Sequence, residues 1–407
     1  MLLAYHCLSA SALLVPTPTR REVLAASAAV AAPAIIAASP ARAAVAEATT
    51  LTAAWTATAG FNDTAFISFD EGAYKSMVED ERRTPFFERA IRERLKTMPD
   101  AVVVDLGTGP FAVLALIAAR AGARKVYAIE AVPEAAKRAR ETIRKAKDVP
   151  PGVIEVVQGF SSAVTLPEKC DLCVAEIVGS VASEEGMHAT LRDAQARFMK
   201  RPNEPSSFIP TRCQTYAAPA SYALHYALGP PRYDWGKIAA EPIRLNCRDE
   251  TLQLLSEPQL WEDIGFADTQ LPRPGPWKPA ANGLTFTVSA ERIAISEQLY
   301  YNELRREGAR EQEARSIAAG AARSLSGIAL WPRLVLDPEG TIVVESRGPR
   351  GETQKSHWQT VLPLLAARPV EVAPQDALRL DATVQLGQAI DFPLAYELKL
   401  RVDKRAS

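Results

Sequence analysis

Apolar and polar residues follow two different patterns along the 407-residue chain. In 101–179, short unbroken apolar runs alternate with segments whose apolar residues recur at helical spacing. This alternation is typical of strand–helix–strand units and predicts a parallel, doubly wound α/β sheet. From about Phe208 onward, segments such as 378–386 and 394–402 alternate between apolar and polar residues, which predicts an antiparallel barrel or sandwich. The segment 296–325 interrupts them with the Arg-, Glu- and Ala-rich composition of a helix.

The first 46 residues have a different composition, with one acid, Glu22, and a large excess of alanine. A twin arginine at 20–21 precedes a weakly apolar run, and an Ala-Arg-Ala tripeptide at 41–43 offers a small-x-small cleavage site. These features are typical of a targeting presequence in which a plastid-entry segment precedes a twin-arginine signal. We therefore expect a plastid protein, with the thylakoid lumen as one destination, and no membrane span in the mature chain. A disordered Ala-rich tail is the alternative, and it would favour the cytoplasm or nucleus.

The net charge and the cysteines constrain the function of the chain only weakly. The formal net charge of -1 provides no reason to expect nucleic acid as a partner. The five cysteines are scattered and predict no disulfide framework. Cys170 and Cys173 form a C-x-x-C pair, but they lie in an apparent buried strand without a second pair, so we expect a structural role and no metal.

A glycine-containing turn is the first candidate site. Asp105, Gly107 and Gly109 lie where a predicted strand gives way to a helix, and Glu130 ends the next strand. Glycines allow a ligand to approach the backbone, and a carboxylate at such a strand end can accept both hydroxyls of a ribose. Pro110 removes an N–H that would face a pyrophosphate, which favours S-adenosylmethionine over NAD without excluding NAD.

Two glutamates follow the fourth predicted strand of the sheet. Glu176 leaves the strand end, and Glu185 lies beyond Gly179. Two carboxylates that share a pocket at the ligand-binding edge would need a cation between them, and a planar guanidinium fits this requirement. A solvated acidic loop is the alternative.

These motifs, with two others, make the chain similar to the protein arginine N-methyltransferases. "MVEDERRT", 77–84, resembles the helix before the family's cofactor domain, and "SHWQT", 356–360, resembles its Thr-His-Trp loop. The resemblance implies a Rossmann-like methyltransferase domain followed by an antiparallel β-barrel domain with a helical insertion. It also implies S-adenosylmethionine as cofactor, protein arginine as methyl acceptor and a homodimer, with 229–280 or 296–325 as the helical arm.

The resemblance assigns roles to individual residues. Arg83 would bind the cofactor carboxylate, and Ser161 and Ser162 stand where the family has an acid near adenine. The implied cofactor-binding set is Arg83, Asp105, Gly107, Gly109, Glu130, Ser161 and Ser162.

On the substrate side, Glu176 and Glu185 would clamp the guanidinium. His357 would take up the released proton or pair with an acid that holds its loop. Trp358 would pack on the guanidinium or wall the pocket, and Met77 would contact the substrate.

The expected organisation is a presequence at 1–46, an N-terminal helical segment at 47–97, an S-adenosylmethionine-binding domain at 98–208 and a β-barrel substrate domain at 209–407. Three other functions stay open from the residues alone. They are a small-molecule methyltransferase, a non-catalytic cofactor-binding scaffold and an NAD enzyme.

Overall fold

The computed structural model describes residues 48–57, 71–228, 233–238, 241–348, 350–353, 355–387 and 393–405. The predicted presequence, 1–46, lies outside the described residues.

The described chain begins with a strand, β1 (Thr49–Thr56), followed by helices α1 (Glu71–Val78) and α2 (Thr84–Lys96). β1 pairs antiparallel with the last strand of the chain, so its residues belong to the barrel. The expectation of a helical segment over 47–97 is therefore wrong for its first residues. Thr-rich sequence with Ala53 and Trp55 buried on one face has the two-residue period of a strand.

A five-stranded parallel sheet forms the first half of the chain, with strand order β4-β3-β2-β5-β6. All five residues of the central strand β2 are buried, as expected when helices cover both faces. The strands are β2 (Val102–Leu106), β3 (Lys125–Glu130), β4 (Ile154–Gln158), β5 (Leu172–Ala175) and β6 (Phe208–Ile209). The helices are α3 (Val113–Arg120), α4 (Pro133–Lys145) and α5 (Met187–Asp193), with a π turn at Ala194–Phe198 and a 3-10 turn at Pro205–Ser207. The predicted doubly wound sheet is confirmed.

Antiparallel strands form the second half, as predicted. One sheet has the order β1-β19-β18-β11 with β12 on β18, and the other β10-β7-β14-β16-β8 with β15 on β14 and β9 on β7. The strands are β7 (Arg212–Tyr222), β8 (Ile243–Asn246), β9 (Leu252–Leu254), β10 (Gln259–Gly265), β11 (Gly275–Trp277), β12 (Leu284–Thr287), β13 (Ser324–Leu325), β14 (Gly327–Val335), β15 (Val343–Glu345), β16 (Gln359–Leu362), β17 (Val370–Glu371), β18 (Ala377–Leu386) and β19 (Ala395–Asp403). Apolar side chains from both sheets, such as Leu398 and Leu330, share one core.

The predicted helical interruption is a pair of helices, α7 (Ala290–Arg306) and α8 (Glu311–Ala322). The first begins earlier than composition indicated, because the Ser289 hydroxyl accepts a hydrogen bond from the Arg292 backbone N–H and caps it. The other short helices of this half are α6 (Ala223–Ala227) and a 3-10 turn at Trp235–Ile238. Of the helices that are described, none has the length and apolar character needed to cross a membrane.

Candidate active site

The glycine turn and Glu130 come together at the carboxyl edge of the parallel sheet. Gly107 and Gly109 have φ values of 73° and 64°, in the left-handed region that favours glycine. Glu130 accepts hydrogen bonds on its two carboxylate oxygens from the backbone N–H groups of Gly109 and Val132, both within 2.9 Å. The acid therefore helps to hold the turn and lies beside it, as the sequence predicted.

Asp105, at the end of β2, adds a second acid to this edge. It is buried, and one oxygen accepts a hydrogen bond of 2.5 Å from the Thr108 hydroxyl. Its other oxygen, Oδ1, has no partner among the described residues. Burial raises the pKa of Asp105 to about 7. A buried acceptor without a partner at this edge fits a ligand that carries a hydrogen-bond donor.

The ring of Tyr74, in α1, covers the glycine turn. A Cβ atom added to Gly109 would lie 3.5 Å from Cε1 of that ring. This contact was not predicted from the sequence.

Arg83 and Glu176 form an ion pair between the two predicted sub-sites. Arg83 Nε lies 2.8 Å from Glu176 Oε2, and Arg83 Nη2 contacts the same oxygen. Both side chains are more than nine-tenths buried. Arg83, expected on a cofactor carboxylate, therefore also compensates the charge of the first clamp glutamate.

Glu185 differs from Glu176 because its carboxylate is not compensated. The residue is partly exposed and has no hydrogen bond or ion pair with any described residue. Burial raises its pKa well above the usual range, and Glu176 and Glu184 raise it further, against the opposing effects of Arg244 and Arg83. This is the arrangement expected of an acid that awaits a cation.

Glu184, next to Glu185 in sequence, has a cation of its own. Its two oxygens lie 3.1 and 2.9 Å from Nη1 and Nη2 of Arg244, in β8. Glu184 is 2% exposed and Arg244 is partly exposed. The sequence analysis missed this pair, because Arg244 approaches the loop only when β8 pairs with β16.

A buried polar network lies behind the same loop. Glu262, in β10, accepts hydrogen bonds of 2.5 Å from the hydroxyls of Ser183 and Thr215. The Ser183 hydroxyl also lies 3.0 Å from the Tyr396 hydroxyl. Burial raises the pKa of Glu262 to about 7. Thus, three barrel strands hold the loop in place, and sequence reasoning identified none of these anchors.

His357 pairs with an acid, which is one of the two roles left open for it. Asp80 Oδ2 accepts from the His357 backbone N–H at 2.9 Å and lies 2.7 Å from its Nδ1. Burial opposes ionisation of Asp80, but the contacts with His357 and Arg82 prevail and lower its pKa to about 2. Burial lowers the pKa of His357, and the contact with Asp80 opposes this effect. This contact joins the barrel loop to the chain before α2.

Trp358 packs against the glutamate loop. Its indole is buried and donates a hydrogen bond of 2.7 Å to the Val178 carbonyl oxygen. The following backbone N–H, of Gln359, donates to the Ser180 hydroxyl at 3.0 Å. Of the two roles expected for Trp358, this geometry supports the wall.

Three other predicted residues lie near this region. Ser161 is buried and donates to the Asp193 carboxylate at 2.7 Å, whereas Ser162 is exposed. Met77 is partly buried, and its carbonyl oxygen accepts from the Thr84 hydroxyl at 3.2 Å. Their predicted ligand contacts stay predictions.

The cysteine pair lies in the core. Cys170 and Cys173 are buried free thiols, and burial raises the pKa of Cys170 to about 12. In the part of the chain that the structure covers, no group of His, Cys, Asp and Glu side chains could hold a metal ion.

Part of the chain is similar in sequence to known proteins. No family model matches the chain. It is 39% identical over 126 residues to protein arginine N-methyltransferase PRMT10 of Oryza sativa subsp. japonica, which is 31% of this chain and 32% of that protein. It is 31% identical over 157 residues to probable protein arginine N-methyltransferase 6 of Arabidopsis thaliana, 38% of this chain and 34% of that protein. The matches thus span about a third of these curated relatives.

Two solved structures share the fold over most of the chain. One is the Trypanosoma brucei PRMT1 enzyme–prozyme heterotetrameric complex with AdoHcy, with a TM-score of 0.55, 17% identity, and 77% of this chain and 88% of that chain covered. The other is Arabidopsis thaliana protein arginine methyltransferase 10, with a TM-score of 0.55, 18% identity, and 80% and 92% covered. The predicted combination of a Rossmann-like domain and a β-barrel domain is therefore confirmed.

Proposed function

We propose that this member of the protein arginine N-methyltransferase family transfers a methyl group from S-adenosylmethionine to a guanidinium nitrogen of arginine in a protein. The observation that carries the proposal is Glu185, a partly exposed carboxylate that forms no ion pair with any of the described residues. It lies on the same loop as Glu176, whose charge Arg83 already compensates. A pocket with one uncompensated negative charge is suited to one monocation, and a guanidinium matches the planar geometry of a carboxylate.

The cofactor edge fits S-adenosylmethionine. When bound, this cofactor supplies an electrophilic methyl group on a sulfonium. Glu130 lies where it could accept the ribose hydroxyls while it retains its two backbone donors, because each carboxylate oxygen has two lone pairs. The free oxygen of Asp105 could accept a donor of the cofactor, and Arg83, which is paired with Glu176, would add a contact with the cofactor's carboxylate.

The glutamate loop would orient the acceptor and polarise it. Glu185 would hold the guanidinium and draw its positive charge away from one terminal nitrogen, whose lone pair then attacks the methyl carbon. The N–C bond forms as the C–S bond breaks, the sulfur leaves as a neutral thioether, and the methylated guanidinium loses one proton to solvent. Catalysis of this kind consists of positioning and electrostatic stabilisation.

The raised pKa of Glu185 is compatible with this role. A like-charged neighbour and a low-dielectric site disfavour its ionised form only while no cation is present. An arriving guanidinium favours the ionised form, so binding of the substrate would lower this pKa again.

Methyl transfer to a matched pair of peptides tests the proposal. An Arg-containing peptide and its Arg→Lys twin are incubated with the protein and S-adenosylmethionine labelled in the methyl group. We expect label in the arginine peptide alone. Label in small guanidino compounds with none in either peptide would favour a small-molecule methyltransferase. Cofactor binding without any transfer would favour a scaffold.

A homodimer is part of the same proposal. The Trypanosoma brucei neighbour is a heterotetrameric complex. In this chain, the helices α7 and α8 are a candidate arm, and Ile295 in α7 is an exposed large apolar residue. Sedimentation at micromolar concentration is expected to show a dimer, and a monomer alone would contradict this part.

Plastid targeting is also proposed, because residues 1–46 have the composition of a bipartite presequence. A fluorescent protein fused to this segment is expected to enter plastids. Cytosolic or nuclear fluorescence would contradict the assignment.

A further inference from the structure

We propose that Arg244 and Glu184 act as a positioning pair for the substrate clamp, which leaves Glu185 as the one uncompensated carboxylate of the 176–186 loop in the described structure. The inference rests on the proposed function, because it concerns how the same pocket is tuned for one guanidinium. It adds two residues that do not transfer the methyl group or contact the cofactor.

The pair has a defined geometry. The two nitrogens of the Arg244 fork face the two oxygens of Glu184 at 3.1 and 2.9 Å. Such a bidentate contact fixes orientation as well as distance. Arg244 is partly exposed, whereas the side chain of Glu184 is 2% exposed.

The loop backbone holds Glu184 from the other side. The Ser180 backbone N–H donates to Glu184 Oε1 at 2.7 Å. A Cβ atom added to Gly179 would lie 2.1 Å from Glu184 Cγ, so the side chain lies directly against that glycine. The Glu184 carboxylate is thereby fixed between its own loop and β8.

The charges of the pocket follow from these pairs. Glu176 pairs with Arg83, and Glu184 pairs with Arg244. Glu185 is the third carboxylate. The other two carboxylates raise its pKa, and the two guanidinium groups lower it. The five groups together carry one negative charge when all are ionised, which matches one incoming monocation.

The other titratable groups around the loop are engaged elsewhere. Behind Glu184, the Glu262 carboxyl is hydrogen-bonded to Ser183, which also contacts the Tyr396 hydroxyl. On the far side of Arg83, His357 is paired with Asp80. Removal of Arg244 would therefore leave a second carboxylate without an ion pair beside Glu185, because Arg244 is the one cation among the described residues that pairs with Glu184.

Single variants of Arg244 and Glu184 are expected to shift the pH dependence of methyl transfer in opposite directions. Arg244→Gln is expected to move the acidic limb of kcat/KM on an arginine peptide to higher pH by about one unit, because Glu184 becomes an uncompensated like charge. Glu184→Gln is expected to move it to lower pH, because Arg244 is then a free cation beside Glu185. The double variant should return close to the native limb, and Arg244→Lys should keep the limb while it loses the bidentate geometry.

A direct titration separates this inference from the proposed function. Glutamate labelled with carbon-13 at the carboxyl group is incorporated, and the Glu185 signal is assigned by its loss in Glu185→Gln. In the cofactor-free protein, we expect this signal to titrate at higher pH in Arg244→Gln and at lower pH in Glu184→Gln. A native protein that transfers no methyl group to arginine would defeat the proposed function, but the titration would still test the pair. An unchanged Glu185 titration in folded Arg244→Gln, in folded Glu184→Gln, or in both, would overturn the inference.

Discussion

The two sides of the candidate site are held together in different ways. On the cofactor side, the polar groups bind partners within the parallel-sheet domain: Glu130 the backbone of Gly109 and Val132, and Asp105 the hydroxyl of Thr108. On the substrate side, the glutamate loop is held by side chains of the barrel, more than 50 residues away in sequence for Glu184 and Arg244. The first side is therefore a property of one domain, whereas the second depends on how two domains pack. Changes in the barrel should damage the substrate side and spare the cofactor side.

Trp358→Ala should have the largest effect of the changes that test this comparison. Removing a buried indole that packs against the loop costs about 3–5 kcal/mol of unfolding free energy. Methyl transfer should fall with the loss of the wall, while the affinity for S-adenosylmethionine in the folded fraction changes by less than about threefold. The measurements are urea unfolding and calorimetry with the cofactor.

Trp358→Phe is the closest control, because it keeps an aromatic ring while it removes part of the indole volume and the bond to the Val178 carbonyl, which alone contributes about 1 kcal/mol. Equal loss of cofactor affinity and methyl transfer in Trp358→Ala would break the distinction between the two sides.

His188 should make the substrate side sensitive to acid. It follows the glutamate loop, is buried against Trp277 with ring centroids 4.7 Å apart, and its two ring nitrogens have no partner in the described chain. Burial lowers its pKa to about 4. Because the folded pKa lies below the unfolded value near 6.5, the stability is fully present above pH 6.5 and is lost as the pH falls toward 4.

The unfolding free energy of the native protein should therefore fall between pH 7 and pH 4.5. In His188→Phe this fall should be smaller by roughly 2–3 kcal/mol. Urea unfolding at the two pH values measures the difference. Asp105, on the cofactor side, should have the opposite pH dependence. Its pKa is raised to about 7, so its contribution to the unfolding free energy is lost as the pH rises. Equal falls in unfolding free energy in His188→Phe and in the native protein would contradict the assignment of the acid sensitivity to His188.

Glu130→Ala should damage the cofactor side alone. Losing charge-assisted bonds of roughly 1.5–3 kcal/mol lowers the affinity for S-adenosylmethionine by about tenfold to hundredfold. Glu130→Ala should also lower the unfolding free energy, because the N–H groups of Gly109 and Val132 lose their acceptor. Calorimetry with the cofactor measures the first effect, and an unchanged affinity would remove Glu130 from the site. Binding of an arginine peptide should be little affected.

The cofactor side could be predicted from sequence because its parts are local. Asp105, Gly107, Gly109 and Glu130 lie at the ends of consecutive strands, and the parallel sheet that the apolar runs predict brings those ends together. The two glutamates and the Ser-His-Trp segment could be recognised because each forms a short motif.

The anchors of the substrate side could not be predicted in the same way. Arg244, Glu262 and Tyr396 are single polar residues on three different strands, and each reaches the loop only through strand pairing in the barrel. Such pairings depend on register and packing across the whole fold, which periodicity does not specify. The strand β1 was missed for a related reason, because its partner is the last strand of the chain.

The most direct test of the account is Glu185→Gln, which preserves the size of the side chain and removes its charge. A glutamine cannot neutralise a guanidinium, so the loss of an interaction that also polarises the transition state should cost on the order of 3 kcal/mol, or at least about hundredfold in rate. Methyl transfer to an arginine peptide and calorimetry with S-adenosylmethionine are measured on the same preparation. The account predicts that transfer falls by at least this factor while cofactor affinity is retained, and near-native transfer by Glu185→Gln would contradict it.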